Sequence, residues 1–441
     1  STTTIPPRPD VPGGPLPDGV SARLDAVTDS SALVSPEGPT GERVRVARVI
    51  GQLGDSGDVR VAWVLVDLMM FEARSELTGP LIDAVQKLMG VSLDDEVAWV
   101  GEANLLLGWD IPAPPGYVRW KRRIFIGRDP SWVAFFPQDG TPPGSNLDWR
   151  QVTFSGVFRD GLTALDHPRS VKVSVGRAWP DDTVVVGVEV GDSRVGASRV
   201  GGSRRAYPRP LLEKYELVND SLGGREIAIP YCSLCSTAVP YFTDRVAGGV
   251  GNGTPLFLRT SGLLLRSNKL MYDQGTESLI DQFTGEALTG LLGTAGVKLQ
   301  PLDVVTTTWG QWRRAHADTT IVLPAGEDIA ALVAKPSLAD TRDRFGPVFP
   351  TGPVDPRLPA QSLVLGTVGP DGVAVAFLID AAAAALARGR PVTKSGVEVS
   401  PGADGALRAR AVGGGPPILS RQAYWFAWSE FMPGTQVWSG P

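Results

Sequence analysis

Two cysteines and two histidines are all that 441 residues contain, and that scarcity removes whole classes of chemistry. A four-cysteine zinc site would need a second cysteine pair. His167 stands before Pro168 at the end of a turn and His316 lies beside two arginines in WRRAHADTT. Both read as turn or surface positions, which disfavours a Ser-His-Asp triad, and the His-Glu-x-x-His zinc motif is absent. Nucleophile-elbow and Walker glycine patterns are missing as well. The glycine-rich GGVGNG at 248–253 lacks the strand-to-helix context of a phosphate cradle and reads as a hairpin loop, so no nucleotide cofactor is indicated. The 42 basic and 47 acidic residues give a net charge of −5 with no basic block, which argues against nucleic acid as a partner. The longest apolar stretch, Val59 to Phe71, is broken by Arg60 and Asp67 and falls short of the roughly 20 residues a bilayer-spanning helix needs. No transmembrane span is expected.

What the chain has in abundance is glycine and proline, 52 and 38 residues, with 42% hydrophobic residues. That composition favours a globular, turn-rich protein. We expect a β-rich α+β fold of short antiparallel strands with few helices, in two related β-rich units plus an N-terminal domain. The expected divisions are a flexible tether over 1–20, an N-terminal α+β domain over 21–166, a core over 167–325 and a related C-terminal unit over 326–441. The opening STTTIPPRPDVPGGPLPDG has a tether's composition, and a removed leader would account for it.

Within the N-terminal part, alternation on both sides of the Gly-Asp-Ser-Gly at 54–57 predicts a hairpin over 43–71. Leu81, Ile82, Val85, Leu88 and Met89 have helical spacing before a stop at Gly90. RWKRRIFIG reads as a strand inside a loop-rich, tryptophan-dense stretch. Alternation resumes at VKVSV and TVVVGVEV, and the tandem GDSRVGASRVGGSRR reads as an extended hairpin loop. SLVLGTVGPDGVAVAFLIDAAAAALA, from Ser362, repeats the strand, turn, strand and helix order of the segment from Thr183 to Tyr215.

The strongest candidate for chemistry is IPYCSLCSTAVPYF, with Cys232 and Cys235 three positions apart. Such a pair brings both sulfurs within disulfide reach, and local dipoles can depress one thiol enough to make it nucleophilic. Two thiolates also suit Cu(I), which makes copper the one candidate cofactor. A structural disulfide is the competing reading. Asp220 and Arg259 are candidates for tuning the thiols. Downstream, Arg259, Ser261, Tyr272, Asp273 and Gln282 are candidates for a polar pocket beside the cysteine turn, although Tyr-Asp-Gln-Gly-Thr is also ordinary turn chemistry. A hydrolase using Ser261 or Asp273 has no activating histidine in evidence.

The order AYPRPLLEKYELVNDSLGGREIAIPYCSLCSTAVPYF, then RTSGLLLRSNKLMYDQGTESLIDQFTGEALTG, then TTTWGQWRRAHADTTIV resembles domain-of-unknown-function family 3179. Weaker matches extend to DPRLP and YWFAW, and PAPPGY and LDWRQV resemble its longer, actinobacterial-type members. The family's activity is not established. The resemblance implies a secreted or envelope-associated protein, with an envelope protein as its conceivable partner. The family's usual proline and glycine around the pair are Ser233 and Ser236 here, and the histidine usual before Glu-x-Val-Asn-Asp is Tyr215. If that histidine completes a site with the cysteines, Tyr215 marks its loss.

Overall fold

A computed structural model describes residues 6–29, 40–72, 75–93, 98–137, 147–191, 193–195, 198–200, 203–244, 246 and 253–440. The chain divides into two units. One comprises Ser1–Arg159 with Leu263–Arg266 and Phe349–Pro353, and the other comprises Asp160–Gly262, Ser267–Val348 and Val354–Pro441.

The first unit is mainly helical, with one short strand, Val152–Phe154, paired to residues 263–265, and this corrects two strand expectations. The hairpin predicted over 43–71 is a pair of helices, Thr40–Gly54 and Ala62–Glu72, and RWKRRIFIG lies in the helix Tyr117–Arg128. Val46, Ile50 and Leu53 are buried at helical spacing, while the Arg-Val alternation of RVRVARV imitates a strand. Nearly every side chain of Ala62–Glu72 is buried, so a helix surrounded on all sides leaves no period to read. The Gly-Asp-Ser-Gly segment does turn, but between helices. After it Asp58 caps the short turn Val59–Val61 by accepting from Arg60 N at 3.1 Å. The helix expected before Gly90 is present as Thr78–Met89, with Gly90 at φ 67. Residues 6–19 run without helix or strand before residue 20. Trp109 Nε1 donates to Pro6 O at 2.8 Å, and Arg60 Nη1 to Gly14 O at 2.9 Å.

The second unit bears out the β-rich α+β expectation with its two related β-rich parts. In one sheet the strand order is Val304–Thr308, Val184–Val190, Ser203–Pro208, Thr320–Val322 and Ser170–Lys172; in another it is Ser420–Tyr424, Leu363–Val368, Ala374–Leu378 and Gln436–Trp438. The first four strands of each follow the same path, with a parallel last step. Registers agree as well: Gly187 pairs with Ala206 and Val305, as Gly366 does with Ala376 and Arg421. Each Ala is opposite a residue of the parallel strand, Ile321 or Val437.

The same lock closes both repeats. A helix, Trp309–Ala315 or Trp425–Phe431, follows the edge strand and lays Trp312 or Trp428 across the glycine, where an added Cβ would overlap the indole. Each indole Nε1 then donates to a threonine hydroxyl at 2.9 Å, Thr319 or Thr435. Between the strand pair and the edge strand each repeat carries an inserted β structure. The first insertion holds the pair Leu217–Leu222 and Arg225–Cys232; the second is the sheet Val392–Lys394, Val397–Pro401, Leu407–Ala411 and Pro417–Ile418.

The insertions dock reciprocally. Tyr424 N donates to Cys235 O at 2.8 Å and Thr237 Oγ1 to Gln422 O at 3.1 Å, while Thr307 Oγ1 donates to Asp404 O at 2.6 Å. The tandem Gly-x-Ser-Arg segment is an extended hairpin in which Ser193–Val195 pairs with Ser198–Val200; residues 192, 196–197 and 201–202 lie outside the described residues, as does most of GGVGNG. No helix among the described residues is long and apolar enough to cross a membrane.

Candidate functional site

Cys232 ends the strand Arg225–Cys232 and pairs with Thr237 on the return strand. The four-residue reversal closes with Cys235 N donating to Cys232 O at 3.2 Å. Ser236 then adopts φ 51, a left-handed conformation that strains residues with a Cβ and leaves glycine unstrained. This is a physical reason for the glycine the family usually places there.

The two sulfurs stand 3.0 Å apart as thiols, about 1 Å beyond the 2.05 Å of a disulfide. Their relative exposures are 1% and 0%. The second repeat supplies much of the apolar cover, through Val364, Ala423, Trp425 and Trp428, and the first adds Phe283.

A hairpin delivers the polar contacts. Arg266 and Ser267 turn at φ 52 and 62, the twist of a two-residue hairpin loop. This places Asn268 Oδ1 3.2 Å and Ser267 O 3.6 Å from Cys235 Sγ. Asn268 Nδ2 donates to Asp281 Oδ1 at 3.0 Å. Lys269 Nζ donates to Glu216 O at 3.2 Å and ion-pairs with the Glu216 carboxylate, which also accepts from Ser233 Oγ at 2.8 Å. Arg342 Nη2 donates to Ser233 O at 2.8 Å.

These surroundings split the two thiols. Burial opposes ionisation of Cys232, but the Cys235 thiol and the Lys269 amide and ammonium outweigh it and hold Cys232 below the ordinary thiol range. Burial and the adjacent Cys232 push Cys235 well above that range. Cys235 therefore keeps its proton, facing two oxygen acceptors. Burial also raises Asp281 to about 6, against donors from Phe283 N and Thr284.

Of the expected pocket residues, Gln282 is the one whose side chain hydrogen-bonds to the cysteine strands among the described residues, donating to Thr237 O at 3.3 Å. Arg259 is bidentate to Asp166 at 2.7 and 2.8 Å, and Tyr272 donates to Asp160 at 2.7 Å. Asp273 accepts from Phe257 N and Thr276, and Ser261 donates to Leu270 O. Asp220 binds Arg205 and the Tyr207 hydroxyl. None of these hydrogen bonds is to the cysteine turn. Tyr215 points to Glu327, and it is Glu216, its neighbour, that faces the turn. His167 lies 6.1 Å from the Phe257 ring, centroid to centroid, and His316 Nε2 lies 3.4 Å from Asp404 Oδ2.

Sequence reasoning misses Asn268, Lys269 and Asp281, though all lie in a segment it singles out; the signal is the Arg-Ser-Asn-Lys turn between two apolar strands. Glu216 and Arg342 carry no such signal. No group of three or more His, Cys, Asp or Glu suited to a metal occurs among the described residues. Two thiolates about 2.3 Å from a shared tetrahedral metal lie about 3.8 Å apart, so the pair must open to hold one.

The family described as Protein of unknown function (DUF3179) matches residues 159–414, which takes in the first repeat, the cysteine turn and most of the second. The chain belongs to this family. Comparison with curated proteins and with solved structures finds no match. Among the DUF3179 motif residues here, Asn219 props the fold. Its side-chain amide donates to Leu258 O at 3.0 Å and accepts from Leu258 N at 3.1 Å, extending a strand edge in the way a backbone would.

Proposed function

We propose that Cys232 and Cys235 act as a buried dithiol–disulfide couple whose oxidised form staples the turn through which the first repeat of an extracytoplasmic protein meets the second. The observation that carries this is the pair's position: two sulfurs 3.0 Å apart, at most 1% exposed, on a turn whose Cys235 carbonyl receives the second repeat's Tyr424 N–H. The reversal that the bond would close is already held by Cys235 N to Cys232 O. The reading calls for an oxidising compartment, where a pair without other cysteine partners in the chain closes on itself.

Titration of unreduced, denatured protein secreted by its own host should find no free thiol; two thiols would overturn the staple. A second reading, thiol exchange with Cys232 as the attacking group, is favoured by the split ionisation alone. The measured reduction potential separates the two, since structural disulfides lie below about −300 mV and exchange-active ones above. A copper role fits the 3.0 Å separation poorly. Tyr215→His should leave Cu(I) affinity of the reduced protein unchanged, because residue 215 faces Glu327.

A further inference from the structure

Comparing the repeats separates residues that the scaffold requires from residues that it does not. Gly187, Trp309, Trp312 and Thr319 recur as Gly366, Trp425, Trp428 and Thr435. The helices that follow the paired strands do not agree in this way. With Ala206 set against Ala376 by register, Arg209, Glu213 and Lys214 of the first helix fall opposite Ile379, Ala383 and Ala384 of the second. The fold is built equally well without those charges.

In the first repeat they border a cleft of about 360 Å³, within the range of small-molecule sites. Val184, Leu332 and Val333 give it apolar walls, and its charged lining is two acidic residues, Asp182 and Glu213, with three basic ones, Arg209, Lys214 and Lys335. Arg209 differs from the arginines that are held by carboxylates. Arg204, Arg225, Arg259, Arg313 and Arg357 each grip a carboxylate with two nitrogens. Arg209 is 28% exposed, its nearest charge is Glu213 at 3.5 Å, and its guanidinium makes no hydrogen bond among the described residues. Five donors in a planar fork, beside apolar walls, match a carboxylate carried on an apolar body. Burial shifts Glu213 upward, toward its neutral form, which lessens its competition for the fork.

We infer that this cleft is a binding site for a small carboxylate-bearing ligand, with Arg209 gripping the carboxylate and Val184, Leu332 and Val333 receiving the apolar part. The inference is independent of the cysteine pair. It is tested by calorimetric titration of the whole protein with hexanoate and, separately, with hexanamide, which has nearly the same shape but no charge. Hexanoate should bind at least about tenfold tighter, and Arg209→Met should abolish that preference while leaving the weak amide binding in place. Arg209→Lys, which keeps the charge but not the fork, should retain only part of the preference. Equal binding of the two probes, no binding of hexanoate at millimolar concentration, or a preference that survives in a folded Arg209→Met protein would each overturn the assignment.

Discussion

The two repeats of the second unit have the same strand path, register and tryptophan lock, yet only one carries the cysteine pair. At the tip of the first insertion stand Cys232 and Cys235; at the tip of the second stands Asp404, whose carbonyl is held by Thr307 of the other repeat as Cys235 O is held by Tyr424. Asp404 is buried, and against the cost of that burial Arg408, Ala406 N and His316 keep its carboxyl below the usual range. One tip is thus pinned by a saturated ion pair and the other by a thiol pair with unequal protons. The shared part of the repeat is scaffold, and the insertions and the helix faces are where the copies diverged.

The comparison breaks most directly at the glycines. Gly187→Ala and Gly366→Ala should each destabilise the protein by about 3 kcal/mol in urea unfolding, because the methyl has no room beneath its tryptophan. Clearly unequal costs would show that the locks are not equivalent.

Charge is the next point of attack. Asp281, in the first insertion, has a folded pKa of about 6, above an unfolded value near 3.9. The folded state therefore holds this proton longer, and stability falls as pH rises from about 4 to about 6. Measured as the difference from Asp281→Asn, the loss should be about 2 kcal/mol. Asp404 has the opposite sign: its stabilisation is present above the unfolded pKa and is lost on acidification. A flat difference curve for Asp281→Asn would remove the buried-acid assignment.

Smaller effects sharpen the contrast. Ser236→Gly should stabilise the protein by about 1 kcal/mol by relieving the left-handed serine at φ 51, and no gain in thermal unfolding would count against strain at the turn. Thr319→Val and Thr435→Val should each cost about 1 kcal/mol, because an indole N–H is left without its acceptor, and the two losses should add in the double variant.

Legibility follows the environment of each segment. TVVVGVEV and SLVLGTV announce themselves as short, valine-rich apolar runs bounded by turn residues, the pattern of central strands buried along most of their length. Their likeness is readable since strand, turn, strand and helix are contiguous in both copies. The closing halves, WGQW with Thr319 and YWFAW with Thr435, escape connection because insertions of different length separate them from their first halves. In the first unit Ala62–Glu72 is buried on nearly every side and shows no period, and its neighbour's Arg-Val alternation suggests the wrong one. At the site, the cysteines and Gln282 are legible, but Asp220, Arg259, Ser261, Tyr272 and Asp273 are engaged by partners outside the cysteine turn.

By itself the sequence determined the family, the β-rich α+β class, the duplicated order and the choice of Cys232 and Cys235 as the candidate site, since these rest on local pattern and on scarcity. Tertiary structure alone decided that the pair is sealed by Val364, Trp425 and Trp428, and that burial, the contact between the two sulfurs and Lys269 set the thiols apart. The physical reason is range: periodicity and turn chemistry act over a few residues, whereas burial and charge pairing are set by chain segments that meet only after the sheets have closed.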